Sequence, residues 1–157
     1  MAEQFAGRCA CGAIRYRMES APIVTHCCHC TWCQRETGSS YVLNALIESD
    51  RLTVTHGEAQ EILTPSASGK GQRIYRCPDC QVALWSHYAG FGDKISFVRG
   101  GTLDQASQLT PDIHVFTSTQ QPWVQIPAEH LSFDEFYKLK EQWSDEQRAR
   151  LRQAMSQ

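Results

Sequence analysis

Cys77-Pro78-Asp79-Cys80 lies between two strand-like segments and is the stretch that decides the fold of this chain. Residues 72–76 lead into its first cysteine, and residues 82–85 lead out of its second. Both segments are rich in residues that favour strands, and the Pro-Asp pair favours a tight turn. The pattern predicts a β-hairpin of the zinc-knuckle type, whose turn presents two thiolates to one metal ion.

A second cysteine pair, Cys9-Ala10-Cys11, lies far upstream. When two hairpins meet, the C-x-C and C-x-x-C pairs supply four thiolates, which is the full ligand set of a closed tetrahedral zinc site. Such a site would be structural, because it would fix the N-terminal segment against the central hairpin. The alternative is that Cys9, Cys11, Cys77 and Cys80 are buried free thiols that pack as small hydrophobic groups.

The other four cysteines lie in Cys27-Cys28-His29-Cys30-Thr31-Trp32-Cys33. Cys28, Cys30 and Cys33 form a C-x-C-x-x-C pattern, which supplies three thiolates from one loop and leaves the fourth position on zinc open. A thiol would bind there as its thiolate, or an aldehyde oxygen would be polarised there. The pattern therefore indicates chemistry in which a thiol adds to, or leaves, a carbonyl carbon.

Three neighbouring residues have more than one interpretation. Cys27 either closes the site as a fourth ligand, faces away into the core, or lies beside the site as a spare thiol. His29 is a candidate to orient a thiolate or a substrate. The alternative for both His26 and His29 is a position on a loop surface.

Length and composition predict one globular domain over residues 1–157. The net charge of -2 gives no reason to expect nucleic acid or a membrane as a partner. Residues 1–6 lack the apolar core of a signal peptide, so a cytoplasmic location is expected. Clustered cysteines in that compartment more often bind metals or catalyse than form disulfides. A secreted disulfide scaffold is the alternative, although adjacent and C-x-C cysteines are poorly placed for local bridges. The sequence does not indicate an oligomeric state.

Short segments that alternate apolar and polar residues recur between turn residues, which favours a mainly β fold. The expected strands are residues 12–18, 41–47, 51–55, 61–64, 72–76, 82–85, 94–98 and 113–117. The C-terminal part differs, because Ser132 with Glu135 and Ser144 with Gln147 are capping-box patterns. One or two terminal helices are therefore expected within residues 132–156.

Three motifs resemble the glutathione-dependent formaldehyde-activating family. They are C-x-C-G at residues 9–12, C-H-C-x-x-C-x-R-x-x-G at residues 28–38, and R-x-Y-x-C-x-x-C at residues 73–80. A late aromatic-proline element, Pro122-Trp123-Val124, also fits. The resemblance covers about residues 7–127 and leaves the terminal helical segment outside the family core.

The resemblance implies a mainly β fold of the β-tent type, built from twisted antiparallel sheets. It implies two zinc ions, a structural one held by Cys9, Cys11, Cys77 and Cys80 and a catalytic one held by Cys28, Cys30 and Cys33. The implied activity is a carbon-sulfur lyase reaction that joins glutathione and formaldehyde to S-(hydroxymethyl)glutathione, or the reverse. A small thiol and a small aldehyde are thus the expected partners.

Two positions depart from the family pattern. Gln81 stands where a glycine usually follows the C-x-x-C pair, and glycine would favour a left-handed turn there. Gln34-Arg35 stands where the family has two basic residues, so one positive charge is missing. Glutathione, which carries two carboxylates, would find fewer partners here.

Other side chains are candidates for the same site. Arg35, Arg73 and Arg76 could hold a carboxylate, or could serve only at the surface. Trp32, Trp85 and Tyr88 could wall an apolar pocket, or could belong to the core.

Two further functions fit the same cysteine pattern. A non-catalytic zinc-stabilised binding or chaperone-like module would use a closed second site. A redox or metal sensor would use the adjacent pair Cys27-Cys28.

Overall fold

A computed structural model describes residues 4–157. The expectation about a signal peptide concerned residues 1–6, and residues 1–3 of that stretch lie outside the described part. The strands, in chain order, are β1 (Phe5–Arg8), β2 (Arg15–Met18), β3 (Val24–Cys28), β4 (Val42–Glu48), β5 (Leu52–His56), β6 (Gln60–Thr64), β7 (Gln72–Arg76), β8 (Ala83–Tyr88), β9 (Ile95–Arg99), β10 (Ile113–Val115) and β11 (Leu131–Ser132). The α-helices are α1 (Thr31–Thr37), α2 (Leu139–Gln142) and α3 (Asp145–Met155). Short 3₁₀ turns occupy Ser49–Arg51, Gly100–Thr102, Ala106–Gln108 and Thr117–Thr119. Among residues 4–157, no helix has the length and apolar character needed to cross a membrane.

The strands form two sheets, which confirms the predicted mainly β fold of the β-tent type. The smaller sheet has the order β1-β2-β5 and is antiparallel. The larger sheet has the order β11-β10-β3-β4-β9-β8-β7-β6. Strand β10 runs parallel to both β3 and β11, so the larger sheet is mixed and not purely antiparallel.

The larger sheet carries an apolar core on each face, and β4 shows why. Successive side chains of a strand point to opposite faces. Accordingly, Ala45 and Ile47 belong to one buried cluster, and Val42 and Leu46 belong to the other. The first cluster includes Cys9, Cys77 and residues of the smaller sheet, whereas the second includes Cys28, Cys33 and residues of the C-terminal segment. The two groups of cysteines therefore lie in different cores.

The C-terminal segment is partly helical, as predicted. Helix α3 begins after Ser144, whose Oγ accepts from the Gln147 N–H (3.2 Å), while Gln147 Oε1 accepts from the Ser144 N–H (2.8 Å). The Arg150 side chain donates to both carboxylate oxygens of the buried Glu48 at 2.7 and 2.6 Å, and this pair fixes α3 against β4.

The helix expected from Ser132 was wrong. Ser132 pairs with His114 as part of β11, and the Phe133 N–H donates to the His114 carbonyl at 3.0 Å. Residues 116–118 then donate backbone hydrogen bonds to the carbonyls of residues 133–135. These pairings with a distant segment use the backbone groups that a helix would have paired locally.

Candidate metal centres and substrate cavity

The four-sulfur cluster (Cys9, Cys11, Cys77 and Cys80) is built from two turns that lie far apart in the sequence. Its Sγ atoms all lie within 4.8 Å of one another, and the separations are 3.5 Å for Cys9–Cys11 and 3.7 Å for Cys11–Cys77. Zinc–sulfur bonds of about 2.3 Å in a tetrahedron place sulfurs about 3.8 Å apart. The donor set therefore fits a four-coordinate ion.

Backbone hydrogen bonds shape both turns of this cluster. The Gly12 N–H donates to the Cys9 carbonyl (3.2 Å), and the Gln81 N–H donates to the Cys77 carbonyl (3.0 Å). Hydrogen bonds from the backbone N–H groups of Cys11 and Val82 lower the pKa of Cys80 to about 6. Backbone donors aimed at sulfur favour the thiolate form, which is the form that binds a metal.

Gln81 adopts the left-handed conformation (φ 62°) that the family's glycine would adopt more easily. Its side-chain Nε2 donates to the Pro78 carbonyl at 2.8 Å, which closes the same turn a second time. The turn therefore keeps the left-handed conformation that a glycine would adopt there, with strain at Gln81.

The three-sulfur cluster consists of Cys28, Cys30 and Cys33. The sequence suggested that one loop carries all three, but they lie in different elements. Cys28 ends β3, Cys30 is the N-cap of α1, and Cys33 lies in the first turn of that helix. The three Sγ atoms lie within 4.8 Å of one another, and the Cys33 N–H donates to Cys30 Sγ at 3.3 Å. Hydrogen bonds from the Cys28 and Cys33 thiols, together with this backbone donor, lower the pKa of Cys30.

Cys27 points away from the three-sulfur cluster, because it precedes Cys28 on a strand. Its Sγ lies instead within 4.8 Å of ring nitrogens of His29 and His114. Within residues 4–157, no other Cys, His, Asp or Glu joins the group of Cys28, Cys30 and Cys33. The arrangement thus leaves room for a further ligand at this cluster.

A chain of three imidazoles, the histidine chain (His29, His114 and His130), lies on the Cys27 side of the sheet. His29 Nε2 lies 3.0 Å from His114 Nδ1, and His114 Nε2 lies 3.1 Å from His130 Nδ1. His29 is fully buried, whereas His130 is partly exposed. Burial and the two neighbouring histidines lower the pKa of His114 to about 4, so the central ring is neutral at pH 7.

The surface interpretation of His26 and His29 was wrong, since both rings are buried. The His26 ring lies on the opposite face of β3 from His29, and its Nε2 is 2.5 Å from Tyr137 Oη. Burial lowers the pKa of His26 to about 4. The His26 ring is therefore neutral and pairs with the Tyr137 hydroxyl.

A cavity of about 480 Å³ opens over the three-sulfur cluster. Its wall includes Cys28, Cys30 and Cys33 and a set of aromatic residues. Those aromatic residues are Trp32, Tyr88, Phe91, Phe97, Phe116 and Phe136. Of the two alternatives for these aromatic residues, the pocket wall is the one that the structure shows for Trp32 and Tyr88. The core is the one that it shows for Trp85, whose ring centroid lies 5.2 Å from that of Tyr75 and 5.9 Å from that of Tyr16.

Two polar side chains in the cavity wall are Tyr88 and Gln72. The sequence points to Tyr88 without a chemical role and does not identify Gln72. Burial, with the nearby Cys33 thiol, raises the pKa of Tyr88 to about 12, so its hydroxyl stays protonated. Gln72 is paired with Tyr88 across β7 and β8 and is buried. Gln72 Oε1 has no hydrogen-bond partner among the described residues. Gln72 gives no signal in the sequence, because a glutamine in a strand is usually solvated.

The arginines considered for carboxylate binding are engaged elsewhere. Arg76 forms an ion pair with Glu36, and Arg73 lies 3.8 Å from Glu61. Arg35 lies in the last turn of α1 and is exposed. Neither Arg35, Arg73 nor Arg76 lines the cavity.

Gln34, which stands in place of a basic residue, connects two segments. Its Nε2 donates to the carbonyls of His29 (2.7 Å) and Thr119 (2.9 Å). Its Oε1 accepts from Gln121 Nε2 at 2.7 Å. An amide offers both donors and an acceptor, whereas a lysine would supply donors alone. The departure from the family pattern therefore serves to hold residues 119–121 beside the three-sulfur cluster.

Two sheets with cysteine groups in separate cores define a class of mainly β proteins that could bind metal ions through thiols. The sequence profile of the glutathione-dependent formaldehyde-activating enzyme family matches residues 4–119, and the chain belongs to this family. This match confirms the resemblance carried by the three motifs.

A curated relative and a solved structure illustrate what the chain is similar to. A Halomonas elongata protein, provisionally named a glutathione-dependent formaldehyde-activating enzyme, is 26% identical over 127 residues, covering 78% of this chain and 80% of its own. A crystal structure of a Rhodobacter sphaeroides protein aligns with a TM-score of 0.47 at 17% identity, over 68% of this chain and 91% of that one.

Proposed function

We propose that this chain is a zinc-dependent carbon-sulfur lyase that catalyses the reversible addition of a thiol to a small aldehyde. Family membership supports an enzyme of formaldehyde activation. The observation that carries the proposal is a cluster of three cysteines in the wall of a cavity, joined by no fourth donor among residues 4–157. Structural zinc sites are closed by four protein ligands, whereas catalytic sites keep one position open.

The two cysteine groups would then have different tasks. Cys28, Cys30 and Cys33 would hold the catalytic zinc, and the four-sulfur cluster would hold a structural zinc. A zinc ion with an open position supplies a Lewis acid and favours the thiolate form of a bound thiol.

The chain's own residues would orient the reactants. The Cys33 N–H stabilises negative charge on Cys30 Sγ, and the aromatic residues give the cavity an apolar wall. The protonated Tyr88 hydroxyl is a donor suited to the aldehyde oxygen as charge develops on it. We also propose a cytoplasmic location, because all eight cysteines are unpaired and reducing conditions preserve thiols. A single domain over residues 1–157 is likewise proposed.

Metal content and thiol response test the proposal together. Zinc per chain is measured after dialysis, and cobalt is then exchanged for zinc so that thiolate charge-transfer bands report on each site. We expect two ions per chain, one of which a chelator removes readily. Addition of glutathione should change the bands of that ion alone, and formaldehyde with glutathione should give adduct exchange by NMR faster than without protein.

Two outcomes would contradict the proposal. Two tightly held ions that are both indifferent to thiols would indicate the non-catalytic zinc-stabilised module. A Cys28→Ser variant that still held two ions per chain would show that Cys28 does not hold the catalytic ion.

A further inference from the structure

The cavity over the three-sulfur cluster is walled mainly by uncharged, apolar groups. Phe91, Phe97, Phe116 and Phe136 line it together with Val115. Phe97 and Val115 are buried, so they hold the shape of the cavity floor, whereas Phe136 is 46% exposed and lies nearer its mouth. Such a wall stabilises a ligand by removing apolar surface from water, at about 25 cal/mol per Å².

Charge is nearly absent from the same wall. Its lining residues include no Lys, Arg or Asp, and Glu135 is the one carboxylate among them. Glutathione would bring two carboxylates, and a carboxylate that loses water without a positive partner is strongly disfavoured. Glu135 would repel those carboxylates further. The nearby Arg99 is buried and donates to Asn44 Oδ1 at 2.6 Å, and its Nε has no hydrogen-bond partner among residues 4–157. Arg99 does not line this cavity but lines a second one.

The size of the cavity suits a small molecule with a ring. At about 480 Å³ it falls in the range of about 300–1,000 Å³ found for small-ligand sites. The four phenylalanines and Trp32 offer faces and edges against which an aromatic ring packs favourably.

One buried acceptor in the wall awaits a donor. Gln72 Oε1 is buried and has no hydrogen-bond partner among residues 4–157. An aldehyde brings no donor, but the product of thiol addition brings a hydroxyl. In that reaction the sulfur–carbon bond forms, the carbonyl π bond breaks, and the thiol proton ends on the carbonyl oxygen. The hydroxyl of the adduct is therefore a donor suited to Gln72 Oε1, whichever thiol forms it.

We propose that this cavity takes an uncharged thiol with an apolar, ring-sized body, and that such a thiol is preferred over glutathione as the partner of the aldehyde. The inference rests on the proposed thiol–aldehyde activity for its kinetic test and on the cavity alone for its binding test.

The kinetic test compares phenylmethanethiol with glutathione, using the full-length zinc-loaded protein and formaldehyde. Adduct formation is followed by exchange NMR at matched thiolate concentrations, which removes the difference in thiol acidity. We expect kcat/KM to be at least about tenfold higher for phenylmethanethiol, since a buried ring contributes more than one factor of ten in binding. A higher kcat/KM for glutathione would overturn the inference and leave the proposed function intact.

Variants of residues at the cavity test whether its wall causes the preference for phenylmethanethiol over glutathione. Phe136→Ala should reduce the ratio of the two kcat/KM values by about threefold to tenfold, and Glu135→Lys should raise kcat/KM for glutathione. Trp123→Ala is the matched control, because Trp123 is 70% exposed and does not line the cavity. An unchanged ratio in both Phe136→Ala and Glu135→Lys would contradict the assignment of this cavity.

A binding measurement separates failure of the inference from failure of the proposed function. Calorimetry measures phenylmethanethiol and glutathione binding without aldehyde. If neither thiol is turned over, the proposed function fails; tighter binding of phenylmethanethiol that Phe136→Ala weakens still supports the cavity's preference. Tighter binding of glutathione, or binding that Phe136→Ala does not change, overturns it.

Discussion

The four-sulfur and three-sulfur clusters use the same donor atom but are built in different ways. The first joins two turns separated by 66 residues between Cys11 and Cys77, and it lies at the core shared by the two sheets. The second is contained in six residues where β3 passes into α1, and it faces a cavity on the opposite side of the larger sheet. A cluster that spans distant segments restrains the unfolded chain, whereas a local cluster gains little stability and is free to react.

The largest expected effect separates the two clusters by stability. Cys77 is fully buried, and Cys77→Ser should lower the free energy of unfolding by at least about 3 kcal/mol, because structural zinc supplies about 10–16 kcal/mol in small zinc domains. Urea denaturation and metal content measure this. Cys33→Ser is the comparison variant and should remain folded. Equal destabilisation by both variants would contradict the assignment of the structural role to the four-sulfur cluster alone.

The second prediction separates the clusters by activity. Cys33→Ser should lower thiol–aldehyde exchange by about 100-fold, or about 2.7 kcal/mol in transition-state stabilisation, because one of three ligands is lost. Exchange NMR with the preferred thiol gives the rate. Cys27→Ser is the control, because Cys27 lies on the adjoining strand β3 and outside the three-sulfur cluster, and this variant should retain both ions and most activity. A Cys27→Ser variant as inactive as Cys33→Ser would place Cys27 in the reaction.

The third prediction concerns the histidine chain. His114→Leu leaves ring nitrogens of His29 and His130 without their partner, and it should lower the free energy of unfolding by about 2 kcal/mol. His130→Ala should cost less than about 1 kcal/mol, because water replaces a partner at a partly exposed site. Chemical denaturation measures both. Equal effects would show that the histidine chain contributes packing only.

The smallest prediction concerns the turn of the four-sulfur cluster. Gln81→Gly should raise the free energy of unfolding by about 0.5–1 kcal/mol, since it relieves a left-handed non-glycine residue but loses the hydrogen bond to the Pro78 carbonyl. Gln81→Ala keeps the strain and also loses that hydrogen bond, so it should be less stable than the parent. A stability for Gln81→Gly below that of Gln81→Ala would contradict the account.

Sequence reasoning worked where the determining interactions are local. The hairpin around Cys77 and Cys80 and the capping box at Ser144 depend on residues within a few positions, and both were predicted. The strand β3 was missed because its residues carry no alternation: all five are buried. The side chains of β3 are buried on both faces of the larger sheet, which removes the period-two signal.

The capping-box pattern at Ser132 failed for a related reason. The local sequence favours a helix start, but the neighbouring strand β10 offers backbone partners that the pattern cannot reveal. The histidine chain was equally hidden, because His29 and His114 are 85 residues apart. Residues that meet only after folding leave no spacing to recognise.

The sequence by itself determined the two local cysteine pairs and the group of three, since C-x-C and C-x-x-C spacings bring neighbouring sulfurs together. Folding then joined the pair Cys9–Cys11 to the pair Cys77–Cys80. It also determined the family and the mainly β character. The tertiary structure decided which face each cysteine occupies: strand geometry turns Cys27 toward His29 and His114 and Cys28 toward the cavity. It also decided the character of that cavity, because its aromatic wall and the unpaired Gln72 are brought together from separate strands and loops by the sheet.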